Sequence, residues 1–160
     1  MRLLALDQAS RCSGWCVFID GELKAWGHLN TTQDTVGERL LEIKKFIVNK
    51  VEEWDIDKIA FEDIQMQNSV GNNVQTFKTL ANVYGVVLET AVELEKEYEI
   101  VSSNSWKSTL GIKGRARAEQ KKNAHDYVVN KYQIKVTQDE ADAVCIGTHV
   151  INKTSHDWSE

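Results

Sequence analysis

One dipeptide does most to limit how this chain can fold. Asp20-Gly21 separates two runs of strand-type residues, Ser13 to Ile19 and Glu22 to Leu29. An Asp-Gly pair suits a two-residue hairpin because the turn needs positive φ at both positions, which glycine adopts freely and aspartate tolerates. The two runs are therefore expected as neighbouring antiparallel strands. Ahead of them, Arg2 to Leu6 is short and almost wholly apolar, the pattern of a strand buried on both faces. The chain opens as a three-strand meander.

The hydrophobic period then changes. Val36, Leu40, Ile43, Ile47, Val51 and Trp54 recur at three- and four-residue steps and mark one face of a long helix, which Asp34 or Thr35 can cap. Lys58 to Glu62 is a fourth strand ending in a carboxylate. Asn72 to Lys96 is helical again, with apolar residues over more than one stripe, an arc wide enough to face both a core and another subunit. Glu99 to Ser102 is a fifth strand, and helices at Ala116 to Gln133 and Gln138 to Asn152 close the chain. With 160 residues and no internal repeat, one domain is expected over residues 1–153, followed by a tail at 154–160. The fold class is α/β: a five-stranded mixed sheet, antiparallel meander plus parallel strands, flanked by helices. That order resembles the ribonuclease H-like architecture.

Missing features narrow the function. No run of 18 apolar residues is present, so no membrane-spanning helix is expected, and the apolar stretch at the N-terminus is too short for a signal peptide. Three cysteines cannot form an even disulfide framework, so Cys12, Cys16 and Cys145 are expected as reduced thiols in a cytoplasm. Cys12 and Cys16 have no second Cys/His pair at zinc spacing and read as small packed residues. The P-loop string is absent, and no nucleotide cofactor is expected.

The net charge of −5 hides a strong asymmetry. Trp106 to Lys135 holds eight basic residues against two acids, a local +6 that leaves −11 on the rest of the chain. Such a segment suits a polyanion, although a solvated basic helix has the same composition. Within it, Gly111-Ile112-Lys113-Gly114-Arg115 sets charges between two glycines that let backbone approach phosphate. Lys107, Lys113, Arg115, Arg117, Lys121 and Lys122 are the candidate DNA contacts.

Four acids stand at element ends. Asp7 ends the first strand and Glu62 the fourth, while Asp139 and Asp142, three apart, share one face at the start of the last helix. Each alone has an ordinary explanation as a turn, cap or helix-dipole residue. If the first and fourth strands are neighbours and the last helix crosses their ends, all four converge. Converging carboxylates repel one another unless a cation lies between them, and oxygen-only donors select magnesium or manganese. Two such ions can activate water and stabilise the leaving oxygen in phosphodiester hydrolysis. Asp63 and Glu140 fall outside the set: Asp63 follows the strand end by one, and Glu140 points about 100° away from Asp139.

The segments carrying these residues look familiar. Leu6-Asp7-Gln8-Ala9-Ser10-Arg11-Cys12-Ser13-Gly14-Trp15 resembles the Asp-Pro-Gly-Ser-Arg-x-Thr-Gly-aromatic opening of RuvC-type Holliday-junction resolvases. Phe61-Glu62-Asp63-Ile64 is similar to that family's strand-end Glu, Gly114 to Gln120 to its Gly-Arg-Ala-x-Lys-Glu-Gln segment, and Asp139-Glu140-Ala141-Asp142-Ala143 to its Asp-x-x-Asp-Ala motif. The resemblance implies a homodimeric, magnesium-dependent endonuclease that nicks four-way and other branched DNA. It assigns the metal to the same four acids and places Lys107 near the scissile phosphate.

Departures from the pattern accompany it. Gln8 and Ala9 replace Pro-Gly. Ala118 stands where the family carries a lysine, with Lys121 and Lys122 on the same helix face to substitute. Gln65 replaces an aromatic residue that stacks at the junction centre. This divergence resembles compact bacteriophage members, expected to act in recombination, replication and packaging of phage DNA within the bacterial host's cytoplasm. A branched-DNA-binding protein without cleavage is the alternative; an actin-like ATPase fragment lacks the second motif and the length. His149 is expected as a surface or core histidine, Trp15, Trp26 and Trp54 as packing residues, and Trp106 either packs or stacks on a base.

Overall fold

The computed structural model describes residues 1–65 and 74–157. Five strands form one mixed sheet: β1 (Arg2–Asp7), β2 (Cys12–Ile19), β3 (Glu22–Asn30), β4 (Lys58–Glu62) and β5 (Glu97–Val101). The spatial order is β3-β2-β1-β4-β5. β1–β2 and β2–β3 are antiparallel, whereas β1–β4 and β4–β5 are parallel. The hairpin turn has Asp20 at φ 51° and Gly21 at φ 83°, the positive pair its two residues were expected to adopt.

Helices cover both faces. α1 (Val36–Trp54) and α2 (Val74–Glu93) lie on one side, and α3 (Ser103–Thr109), α4 (Arg117–Tyr132) and α5 (Gln138–Asp157) on the other. Alternation along each strand feeds two separate cores. Leu4, Leu6, Val17, Ile59 and Phe61 meet Ile43, Ile47, Val83 and Val87. Leu3, Ala5, Cys16, Phe18 and Ala60 meet Trp106, Val128, Val144 and Ile146. Burying each of the larger side chains contributes about 2–3 kcal/mol. Thr35 caps α1, its Oγ1 accepting from the Glu38 N–H at 3.2 Å.

One helix and several boundaries differ from the sequence reading. α3 was not anticipated. Ser102 caps it by accepting the Ser105 N–H at 3.1 Å, which ends β5 at Val101, one residue earlier than expected; the strand also starts two residues earlier, at Glu97. α2 ends at Glu93, and Glu95, at φ 56°, reverses the chain into β5; its expected start at Asn72 lies outside the described residues. α5 continues past the expected end at Asn152 to Asp157, so the first residues of the expected tail are helical. None of the helices among the described residues is long and apolar enough to cross a membrane.

Candidate active site

β1 and β4 run parallel with Leu6 opposite Phe61, so Asp7 and Glu62 leave the same end of the sheet. Parity puts them on the same face: Asp7 follows Leu3 and Ala5, and Glu62 follows Ala60, all on the α5 side. Gly14, opposite Asp7, lets α5 reach them, because a Cβ there would lie 1.9 Å from the Asp139 carbonyl oxygen. Only a glycine allows backbone to touch backbone at that point.

The start of α5 is fixed by a reciprocal capping box. Glu140 N–H donates to Thr137 Oγ1 at 3.3 Å, and Thr137 N–H donates to Glu140 Oε1 at 2.9 Å. The other Glu140 oxygen lies 2.7 Å from His28 Nδ1 on β3. Both Glu140 oxygens therefore serve structure, in line with its exclusion from the acidic set. Asp139 and Asp142 turn the opposite way, into a cleft of about 520 Å³ lined also by Asp7 and Glu62.

Side-chain N–H donors hold two of these acids. Trp106 Nε1 donates to Glu62 Oε2 at 3.2 Å, and Gln138 Nε2 donates to Asp142 Oδ1 at 3.2 Å. Gln8 grips the Glu62 backbone: its Nε2 donates to the carbonyl at 2.6 Å, and its Oε1 accepts the N–H at 3.1 Å. Ser13 braces the β1–β2 loop, donating to the Ala9 carbonyl at 2.8 Å and accepting the Ala9 N–H at 3.0 Å.

The electrostatics are those of crowded carboxylates. Burial, then the charges of Glu62, Asp142 and Asp139, hold the Asp7 carboxyl well above its usual range, with Lys121 opposing. Burial also raises Glu62, against the Trp106 hydrogen bond and the charges of Lys107 and Arg117. Asp142 is pushed up to about 6, chiefly by burial, with Gln138, Lys121 and Lys107 opposing. The acids ring the cleft without closing on one point: among the described residues no three His, Cys, Asp or Glu side chains form a ready metal cage. As a donor set they are all oxygen, desolvated and mutually repelling, which fits hard divalent cations.

Of the six basic candidates, Lys107, Arg117 and Lys121 line the cleft. Lys107 Nζ donates to Gln120 Oε1 at 3.2 Å. Lys113, Arg115 and Lys122 are exposed outside it, and Lys122 sits 3.8 Å from Asp126. Of Lys121 and Lys122, Lys121 is thus the one that faces the acids. The glycine reading needs correction at Gly114, whose open side is filled by Gln120; a Cβ there would lie 2.9 Å from the Gln120 backbone nitrogen. That glycine serves packing of the chain on itself, while Gly111, at φ 70°, makes the turn after α3.

Trp106 settles as a buried residue, 2% exposed, and does not present a face for stacking. Its hydrogen bond to Glu62 and the Gln8 clamp were both missed from sequence. The Ser102 cap and the Trp106–Leu110 spacing were the available signals for α3. Gln65 lines the cleft, and His149 lies outside it with Nδ1 2.7 Å from Thr109 Oγ1. Cys16 is buried and donates to the Ala143 carbonyl at 3.3 Å. Burial, then a hydrogen bond with Asp139, pushes the Cys12 thiol up to about 11.

Known proteins share this arrangement of elements. The RuvC protein of Ehrlichia canis (strain Jake), a crossover junction endodeoxyribonuclease, is 24% identical over 160 residues, covering 97% of this chain and 99% of its own. The solved structure of T. thermophilus RuvC in complex with Holliday junction substrate superposes with a TM-score of 0.76 at 18% identity, over 97% of this chain and 96% of that one. Yeast mitochondrial Holliday junction resolvase Ydc2 gives 0.61 at 15% identity, over 96% and 79%. The family model for crossover junction endodeoxyribonuclease RuvC matches residues 3–149, which include every acid of the cleft, and the chain belongs to that family.

Proposed function

We propose that this protein nicks Holliday junctions and other branched DNA, using Asp7, Glu62, Asp139 and Asp142 to hold a pair of magnesium ions, with manganese as a substitute. The observation that carries the proposal is the gathering of four acids, from the ends of three elements, in one cleft walled by Lys107, Arg117 and Lys121. Endonucleolytic resolution of Holliday junctions is the activity of the family. When bound, the cations supply an activated water and neutralise charge on the departing 3′-oxygen.

The chain's own residues do the rest. Asp7 and Glu62 hold one side of the cleft from the rigid sheet, and Asp139 and Asp142 hold the other from the first turn of α5. Lys107, Arg117 and Lys121 bind the phosphate whose ester is cut, while Lys113, Arg115 and Lys122 contact the duplex further out. Such contacts position the backbone and carry little sequence information.

Paired nicks on a four-way junction call for two sites related by symmetry, and a homodimer supplies them. The face for it lies along α1 and α2. There Leu41 is 52% exposed and Val92 58%, beside a groove lined by Leu40, Ala81, Gly85 and Val86. In this reading residues 1–153 form the nuclease unit, and the protein works on phage DNA in the cytoplasm of a bacterial host.

A labelled four-way junction, incubated with and without magnesium, tests the activity. The expected result is paired, symmetric nicks only with the metal, and an Asp7→Asn variant that still binds the junction without cutting it. Wild-type cutting by Asp7→Asn would remove the site from consideration. Binding without any magnesium-dependent cutting by the wild-type protein would leave a branched-DNA-binding module.

A further inference from the structure

Glu62 is held at two separate points, by the Gln8 side-chain amide and by the Trp106 indole. The backbone ladder between β1 and β4 stops at the Leu6–Phe61 pair. One residue on, the N–H and carbonyl of Glu62 still face the β1 side, where no strand backbone meets them. Buried backbone groups without partners are costly, so something must replace the strand. The Gln8 side-chain amide does so. It offers one donor and one acceptor in the same sense as a peptide group, at 2.6 Å and 3.1 Å. In effect it adds a surrogate rung to the sheet beneath the carboxylate.

The second hold is on the carboxylate itself. Trp106 comes from α3, across β5, and its indole N–H reaches Glu62 Oε2 at 3.2 Å. The indole is fixed by burial and is a donor only, so it can orient a carboxylate but cannot accept a proton from it. Among the described residues Glu62 Oε1 has no hydrogen-bond partner and is the oxygen left for a ligand. Asp7 and Asp142 receive no comparable double hold.

We propose that Gln8 and Trp106 are positioning residues, which fix the Glu62 backbone and carboxylate so that its second oxygen faces a divalent cation. The role rests on the assignment of Glu62 as a metal-binding carboxylate. It makes metal affinity, rather than DNA affinity, the property these two residues set. Outer-shell partners of metal-binding carboxylates typically change affinity by about 10- to 100-fold when removed.

The experiment compares full-length Gln8→Met and Trp106→Phe with wild type and Glu62→Gln. Methionine keeps the length of Gln8 without its amide, and phenylalanine keeps an aromatic ring without the N–H. Manganese binding is measured by loss of the free-ion EPR signal, nicking is measured against magnesium concentration, and junction binding is measured in EDTA. Each positioning variant should bind manganese about 10-fold more weakly and need about 10-fold more magnesium for half-maximal nicking. Junction affinity in EDTA should stay within about twofold, an expectation that separates positioning from general damage.

If Trp106→Phe does not fold, site-specific incorporation of benzothienylalanine at position 106 removes the N–H alone and answers the same question. Folded variants with wild-type manganese affinity, beside an inactive Glu62→Gln, would overturn the positioning role and leave the site intact. Glu62→Gln binding manganese and nicking like wild type would overturn the ligand assignment itself, and the positioning role with it.

Discussion

Removing one cleft charge should stabilise this protein while destroying its activity. The perturbation is Asp142→Asn, which preserves size and the oxygen that accepts from Gln138. The Asp142 carboxyl is pushed up from its ordinary 3.8 to about 6, mainly by burial. The folded chain therefore binds this proton more tightly than the unfolded chain does. That contribution is complete below about pH 4 and is lost as the pH rises through about 6. A gap of about two pH units corresponds to roughly 3 kcal/mol of folded-state cost at pH 7.5. Asparagine never ionises and avoids it, and its presence also relieves Asp7 and Glu62, both of which feel the Asp142 charge.

In EDTA at pH 7.5, Asp142→Asn should be more stable than wild type by about 2–3 kcal/mol, raising Tm by roughly 5–10 °C. The two proteins should converge near pH 4. Thermal unfolding followed by circular dichroism between pH 4 and pH 8 measures this. Magnesium should raise the Tm of wild type more than that of the variant, and junction nicking by the variant should fall to background. A variant as stable as wild type at pH 7.5, or one whose advantage does not change with pH, would refute the claim that buried like charges strain the cleft.

Four further outcomes follow from the geometry. Lys121→Ala should cut nicking by roughly 10- to 100-fold, because that ammonium faces Asp7 and Asp142. Lys122→Ala should weaken junction binding but change nicking at saturating junction less than about twofold, since Lys122 lies outside the cleft beside Asp126. Gly14→Ala should destabilise by about 3 kcal/mol or more and abolish cutting, since its methyl group would drive α5, with Asp139, off β2; chemical denaturation and the junction assay read both effects. Junction affinity should fall steeply with salt, and loss of Lys107, Arg117 or Lys121 should each flatten the log–log slope by about one, as fluorescence anisotropy across a salt series would measure.

The features legible in the sequence were those with local causes. A positive-φ pair made the hairpin visible at Asp20-Gly21, and changes of hydrophobic period separated α1 from the meander. Strand ends at Asp7 and Glu62, and the three-residue spacing of Asp139 and Asp142, placed the acids at element termini. Adjacency of β1 and β4 then brought them together. What stayed hidden depends on distance through space. The Trp106–Glu62 bond joins residues 44 apart in sequence and the Gln8–Glu62 clamp residues 54 apart. Nothing local marks either pair. Gly114 misled for the same reason, since a glycine suited to approaching phosphate is equally suited to packing against Gln120. α3 was lost because seven residues offer too few turns for a period to emerge.

One comparison within a single helical turn separates structural acids from the others. Glu140 is buried, yet each of its oxygens has a partner: Thr137 on one side and His28 on the other. It caps α5 and ties it to β3, so its charge does mechanical work. Asp142, two residues on, has a neutral amide on one oxygen and no ion pair among the described residues. The same lack of an ion pair holds there for Asp7 and Glu62, although Lys107, Arg117 and Lys121 line the same cleft. A chain arranged only for stability would pair these charges or replace them with apolar groups, since an unpaired buried charge is costly. The cleft instead keeps its anions apart from its cations while the surrounding sheet and capping box hold them rigid. A site so built gains most from binding a species that the protein does not itself supply, and a divalent cation relieves all of the repulsion at once.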